Sequence, residues 1–172
     1  MKRNGLLVAV IISFMFVFGC AGGQEDFNTG QDLSKKGRWG DAIGFYEKAL
    51  KENPNNKEYL QALTKAKKEL ALVYYKKVKG FLEDNPDPSF PELNKIVKEI
   101  DRAQNLDPQS KPIATLFNDL VKRKDDLLST IKSLYTQANS HLTNKEWMDA
   151  IGKLRRVKKL FPGYEETEDK LA

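Results

Sequence analysis

"WGDAIGFYEKALKENP", residues 39–54, is echoed by "WMDAIGKL" at residues 147–154. Trp39 and Trp147 are the only tryptophans, and each opens Trp-x-Asp-Ala-Ile-Gly. The echo belongs to a longer register. Pro54, Pro108 and Pro162 are spaced by 54 residues. The same shift superposes Phe27, Phe81 and Tyr135. It also superposes Ala42, Ile96 and Ala150, then Tyr46, Ile100 and Leu154, then Ala49, Ala103 and Val157. The last three sets run i, i+4, i+7, which is one face of a helix. A period of this size marks a repeat architecture in which each unit packs on its neighbour.

Punctuation divides the register into helices. Gln24 to Lys36 reads as a helix stopped at Gly37, which tolerates the left-handed turn that ends helices. Trp39 to Glu52 is the second and stops at Asn53, because a residue before proline is pushed out of helical geometry. Lys57 to Glu83 reads as one long amphipathic helix ended by "DNPDPSFP". Pro91 to Leu106, Lys111 to Leu142 and Glu146 to Leu160 follow, with a short capping helix over Tyr164 to Leu171. Ser89 with Glu92, and Thr143 with Glu146, each read as a capping box, 54 residues apart. Each tryptophan is expected to seal the turn between its two helices, and Ala42 or Ala150 to permit their close approach. No stretch alternates with the strand period, so the expected fold class is all-α, three helix pairs with long first helices and a C-terminal cap.

These residues resemble the tetratricopeptide repeat. Residues 27–54 carry its pattern most fully, in Gly30, Gly37, Ala42, Tyr46, Ala49-Leu50 and Pro54. Residues 135–162 match through Ala138, Ala150 and Pro162, and residues 81–108 through Ala103 and Asp107-Pro108. The family's usual unit is 34 residues, so the extra length falls in the first helices of the later pairs. The resemblance implies a helical array that binds a protein or peptide on the face lined by the first helix of each pair. It puts Phe27, Gln31 and Ser34 on that face in unit one, Gln61, Lys65 and Lys68 in unit two, and Tyr135 and Asn139 in unit three. For Phe27, Phe81 and Tyr135, core packing and groove lining both stand open. The expected units are 26–54, 55–108 and 109–162, with a cap at 163–172.

The N-terminus reads as an export signal. Lys2-Arg3 precede a mostly apolar run from Leu6 to Phe18, shorter than the ~20 residues of a membrane span. Val17-Phe18-Gly19-Cys20 resembles a bacterial lipobox, which implies a signal peptide over 1–19, lipidation of Cys20 and a short tether over 20–25. Cys20 is the only cysteine, whereas exported chains normally pair theirs. The competing reading is a signal peptide cut elsewhere, which discards Cys20. Ala21 after the cysteine, by the same resemblance, favours the outer membrane facing the periplasm. Cleavage removes Lys2 and Arg3 and lowers the formal charge from +5 to +3.

Catalytic chemistry finds little material. His141 is the only histidine and reads as a helix-surface residue, since a general base needs a positioned partner. With one histidine and one cysteine, no metal site is expected, nor any cofactor. Adjacent acids such as Asp125-Asp126 and Glu165-Glu166 diverge by ~100° on a helix. Lys153, Arg155, Arg156, Lys158 and Lys159 are followed by Glu165, Glu166, Glu168 and Asp169. Helix dipoles favour that order, and the alternative is a patch for an anionic partner. The expected function is a non-enzymatic, membrane-anchored scaffold of the bacterial cell envelope. It would serve assembly of a secretion, pilus or outer-membrane complex by binding an envelope protein or peptide, with no nucleic acid and no small-molecule substrate. The alternative is a peptidoglycan- or carbohydrate-associated envelope factor. Cys20→Ala is expected to move the protein from the membrane fraction to the soluble envelope fraction on cell fractionation. Unchanged membrane retention would exclude the lipid anchor.

Overall fold

Proline disfavours helical backbone in the residue before it, so three prolines at one spacing should leave three matching turns. The structure, a computed structural model, describes residues 23–172, and it has them. Asn53 and Asp107 both lie at φ −134°, ψ 77°, and Phe161 at φ −147°, ψ 87°. Each amide still reaches back to the helix, from Asn53 to the Ala49 carbonyl at 3.0 Å, Asp107 to Ala103 at 3.0 Å and Phe161 to Val157 at 2.7 Å. Cys20 and the expected signal segment 1–19 lie outside the described residues.

Six α-helices result among the described residues: α1 (Gln24–Lys35), α2 (Trp39–Glu52), α3 (Lys57–Asp84), α4 (Phe90–Leu106), α5 (Lys111–Thr143) and α6 (Trp147–Leu160). The described residues contain no strand. The fold is all-α, built of helical hairpins, with α3 at 28 residues and α5 at 33 as the long first helices. The chain divides into two compact units between Leu70 and Ala71, within α3, so the first half of that helix belongs to unit 1 and the second to unit 2.

In unit 1 an aromatic cluster joins the three helical segments. Phe27 of α1 stacks on Tyr59 of α3 with ring centroids 4.5 Å apart and lies 5.7 Å from Tyr46 of α2. Ala42, Ala49 and Ala66 fill the gaps where backbones approach. Gly30 is small for the same reason, since a Cβ there would sit 2.6 Å from the Tyr46 ring. In unit 2, Val78 of α3 joins Leu93, Ile96 and Ile100 of α4 and Ile113 and Leu120 of α5 in one cluster. A second cluster holds Ile131 and Leu134 of α5 with Val157 of α6, flanked by Phe90 stacked on Phe161 at 4.8 Å. All nine residues of the i, i+4, i+7 sets are buried: Ala42, Ile96, Ala150, Tyr46, Ile100, Leu154, Ala49, Ala103 and Val157. Burial on that scale, at about 25 cal/mol per Å² of apolar surface, is the main source of stability for such hairpins.

The helix ends follow the expectations in part. The Ser89–Glu92 capping box forms, with the Ser89 amide donating to Glu92 Oε2 at 2.8 Å. The Thr143–Glu146 box does not, because Thr143 is still helical and its hydroxyl donates to the Asn139 carbonyl. The expected helix over Tyr164 to Leu171 shrinks to a 3-10 turn, Asp169–Leu171, since turn backbone, with Glu165 at φ 49°, occupies the segment before it. The two tryptophans also part ways. Trp39 packs on the unit 1 core, whereas Trp147 is 56% exposed and Met148 82%, so Trp147 seals nothing.

The turns before those tryptophans are nevertheless alike. Arg38 lies at φ −83°, ψ 60° and Glu146 at φ −88°, ψ 67°. The preceding residues are left-handed in both, Gly37 at φ 71° and Lys145 at φ 64°. Glycine adopts that geometry freely, while a residue with a Cβ is disfavoured by roughly 1–2 kcal/mol. Lys145→Gly is therefore expected to raise stability by about 1 kcal/mol, and Gly37→Ala to lower it by about the same. Urea denaturation of both variants checks the pair, because opposite signs are required of one turn type.

Candidate partner-binding site

The first helix of a hairpin exposes what its core stripe does not use. On α1 that stripe takes Phe27, Gly30 and Leu33, which leaves Gln31 and Ser34 on an adjoining face one turn apart. On α3 the residues beside buried Tyr59 and Ala66 are Ala62 and Lys65. The two faces meet in unit 1 around a cleft of 360 Å³ lined by Gln31, Ser34, Lys35, Trp39, Tyr46 and Lys65, with Ala62 and Ala66 also at its wall. Ser34 Oγ and the Tyr46 hydroxyl are hydrogen-bonded at 2.9 Å, which fixes the Tyr46 ring. Gln31 and Lys65 have no such commitment among the described residues, so an amide and a cation face a wall of indole and phenol. That combination suits an extended or helical peptide, which brings backbone polar groups and apolar side chains together.

Gln61, Lys65 and Lys68 border a second, shallower depression on α3 of 400 Å³, with Leu60, Thr64 and Glu69. Leu60 is 44% exposed there. Lys65 belongs to both depressions, so the α3 surface is continuous with the cleft. Phe27 does not line either. It is 2% exposed, and its stacking on Tyr59 decides between the two readings in favour of core.

Tyr135 and Asn139 of α5 are already engaged. Lys170 Nζ donates to the Tyr135 hydroxyl at 2.8 Å and to Asn139 Oδ1 at 2.9 Å, and it lies 4.6 Å from the centre of the Tyr135 ring. Tyr164 meets the same ring edge-on at 5.5 Å, and buried Thr167 anchors the segment between. The C-terminal residues thus occupy the place that the resemblance assigned to a partner. Sequence periodicity could not show this, because it identifies an exposed face without identifying what folds over it.

One juxtaposition escaped the sequence reading. Where unit 1 pairs Arg38 with Asp41, Nε to Oδ2 2.7 Å, the matching positions of unit 2 are Glu146 and Asp149. Glu146 is instead met by His141, whose Nδ1 lies 2.5 Å from Glu146 Oε2. All three donor atoms lie within 4.8 Å of one another. His141 is in the last turn of α5, and the acids stand at the start of α6. The dipole of α6 favours both acids at its start.

Comparison with known proteins agrees in kind with the first hairpin. Residues 27–56 match the tetratricopeptide repeat family model. A solved structure of a thermophilic tetratricopeptide-repeat protein from Thermus thermophilus aligns over 87% of this chain and 97% of that one, at 19% identity and a TM-score of 0.29. No curated protein matches significantly.

The tail contact carries a pH signature. The hydrogen bond to Tyr135 holds the Lys170 ammonium above the ordinary lysine range, against partial desolvation and with further help from Glu166. Desolvation likewise raises the Tyr164 phenol. A group whose pKa rises on folding stabilises fully below its unfolded value and loses that contribution as pH climbs through the folded one. The tail is therefore expected to stay docked at neutral pH and to release above about pH 10.5. The Thr167 methyl resonance, followed by NMR, should move to its random-coil position there, and Lys170→Met should produce the same shift near neutrality.

Proposed function

We propose that the protein is a non-catalytic scaffold, lipid-anchored in the bacterial cell envelope, that holds a peptide segment of a partner protein in the unit 1 cleft. The observation that carries the reading is the convergence of Gln31 and Ser34 from α1 with Lys65 from α3 on one concavity beside Trp39 and Tyr46. These side chains come from separate helices, and the tetratricopeptide match covers the hairpin that supplies most of them. Protein-protein interaction is the role that such repeats support.

The anchor rests on sequence: Lys2-Arg3, the apolar run and the lipobox-like Val17-Phe18-Gly19-Cys20. No helix among the described residues is long and apolar enough to cross a membrane. Attachment through Cys20 would supply roughly 0.8 kcal/mol per buried methylene, with more than one acyl chain needed for stable residence. Because α1 already starts at Gln24, the expected 20–25 tether shortens to Ala21–Gly23, ~11 Å at most, which keeps unit 1 near the lipid. Outer-membrane residence and service to a secretion, pilus or outer-membrane assembly are part of the same proposal.

In-cell crosslinking from a photoreactive residue at Lys35, on the cleft rim, should capture a defined envelope protein. Gln31→Ala with Lys65→Glu should reduce that capture at least about tenfold, the scale of losing two polar contacts at a small interface. Capture that survives both substitutions would remove the cleft from the proposal. Retention of the purified chain by cell-wall sacculi, with no protein captured, would favour the carbohydrate-associated alternative instead.

A further inference from the structure

Helix α6 carries more cations than its dipole and its neighbours account for. Of the five basic residues Lys153 to Lys159, Lys158 is paired with Glu168 across the C-terminal turn. Glu166 is taken by Lys170 at 3.2 Å. Arg155, Arg156 and Lys159 have no carboxylate partner among the described residues. The acids that follow α6 in sequence therefore neutralise Lys158 but leave Arg155, Arg156 and Lys159 unpaired among the described residues.

These three cations border one cleft in unit 2, 780 Å³ in volume, between α6, the middle of α5 and the loop joining α3 to α4. Its wall includes Leu127 and Leu160, and the buried Pro88 of the loop. Arg123 holds the loop in place by donating to the Pro86 carbonyl and to Asp87 at 3.2 Å. Cations beside apolar side chains are thus brought together from three separate chain segments, one of them pinned. Asp126 also reaches the cleft and has no cationic partner among the described residues.

We infer that this cleft binds an acidic segment of a protein, one whose carboxylates alternate with apolar side chains. Guanidinium groups take carboxylates in paired, planar hydrogen bonds. Leu127 and Leu160 receive the apolar residues, and Asp126 accepts from a backbone amide of the same segment. A lipid surface fits less well. Phosphates packed as a continuous sheet would be brought against Asp87 and Asp126, which line the same cleft. The surface lies wholly in unit 2 and shares no residue with the unit 1 cleft, so either can fail without the other.

The test uses the full mature chain and a fluorescein-labelled peptide of alternating Glu and Leu, with its Lys-for-Glu counterpart as the reversed-charge probe. The acidic peptide should bind saturably and the basic one should not. Arg155→Ala with Arg156→Ala should weaken binding roughly tenfold or more, whereas Lys158→Ala on the same helix should leave it within about twofold. Far-ultraviolet circular dichroism should show equal helix content in all variants, since each substituted side chain is exposed. Equal binding by the double arginine variant, equal losses in both variants, or binding to phosphatidylglycerol vesicles without binding to the acidic peptide would each overturn the inference.

Discussion

The backbone before proline governs the molecule. Asn53, Asp107 and Phe161 are steered out of helical geometry by the proline that follows, yet each keeps one amide bond to the turn behind it. The chain therefore leaves α2, α4 and α6 in nearly one direction relative to each helix. Reproducible exits allow one face pattern to serve three times. Ala42, Ile96 and Ala150 can fill equivalent places although their sizes differ, because what fixes the place is the turn 11 residues later.

Against that constant exit, the entries to the second helices are free to vary, and they do. Units with Trp-x-Asp-Ala-Ile-Gly enter through a left-handed residue, Gly37 or Lys145. The middle hairpin enters instead through Ser89, whose reciprocal bonds with Glu92 start α4 at Phe90. The Ser89 bonds also hold the Glu92 carboxyl below its usual range, the side-chain hydroxyl contributing most and the backbone amide next. Two local solutions to unpaired amide donors thus coexist in one register.

Sequence periodicity made the helices and the buried face legible because both follow from rules that act over a few residues. The nine residues of the i, i+4, i+7 sets are buried as that face requires. Contacts between distant segments were less legible. Trp147 repeats Trp39 in sequence, but Trp39 has Ile43 and Leu63 in its cluster, and nothing comparable covers Trp147. Thr143 matched a capping position, yet α6 starts only at Trp147 with Glu146 at its N-cap, three residues beyond Thr143. Gln31, Ser34 and Lys65 were placed on one face by resemblance, and the geometry gathers them. Tyr135 and Asn139 were placed there too, without any local signal that Lys170, 31 residues or more away, would reach them.

That reach of Lys170 bears on how such a chain can grow. A helical array lengthens in evolution when a further hairpin is copied onto its end and lies against the last exposed stripe. Here residues 164–170 already lie against α5, with a buried threonine and an ammonium caught between the Tyr135 phenol and the Asn139 amide. A duplicated hairpin would have to displace them before it could dock. Adding a hairpin at that face would therefore cost the Lys170 and Tyr164 contacts to Tyr135 as well as requiring new packing.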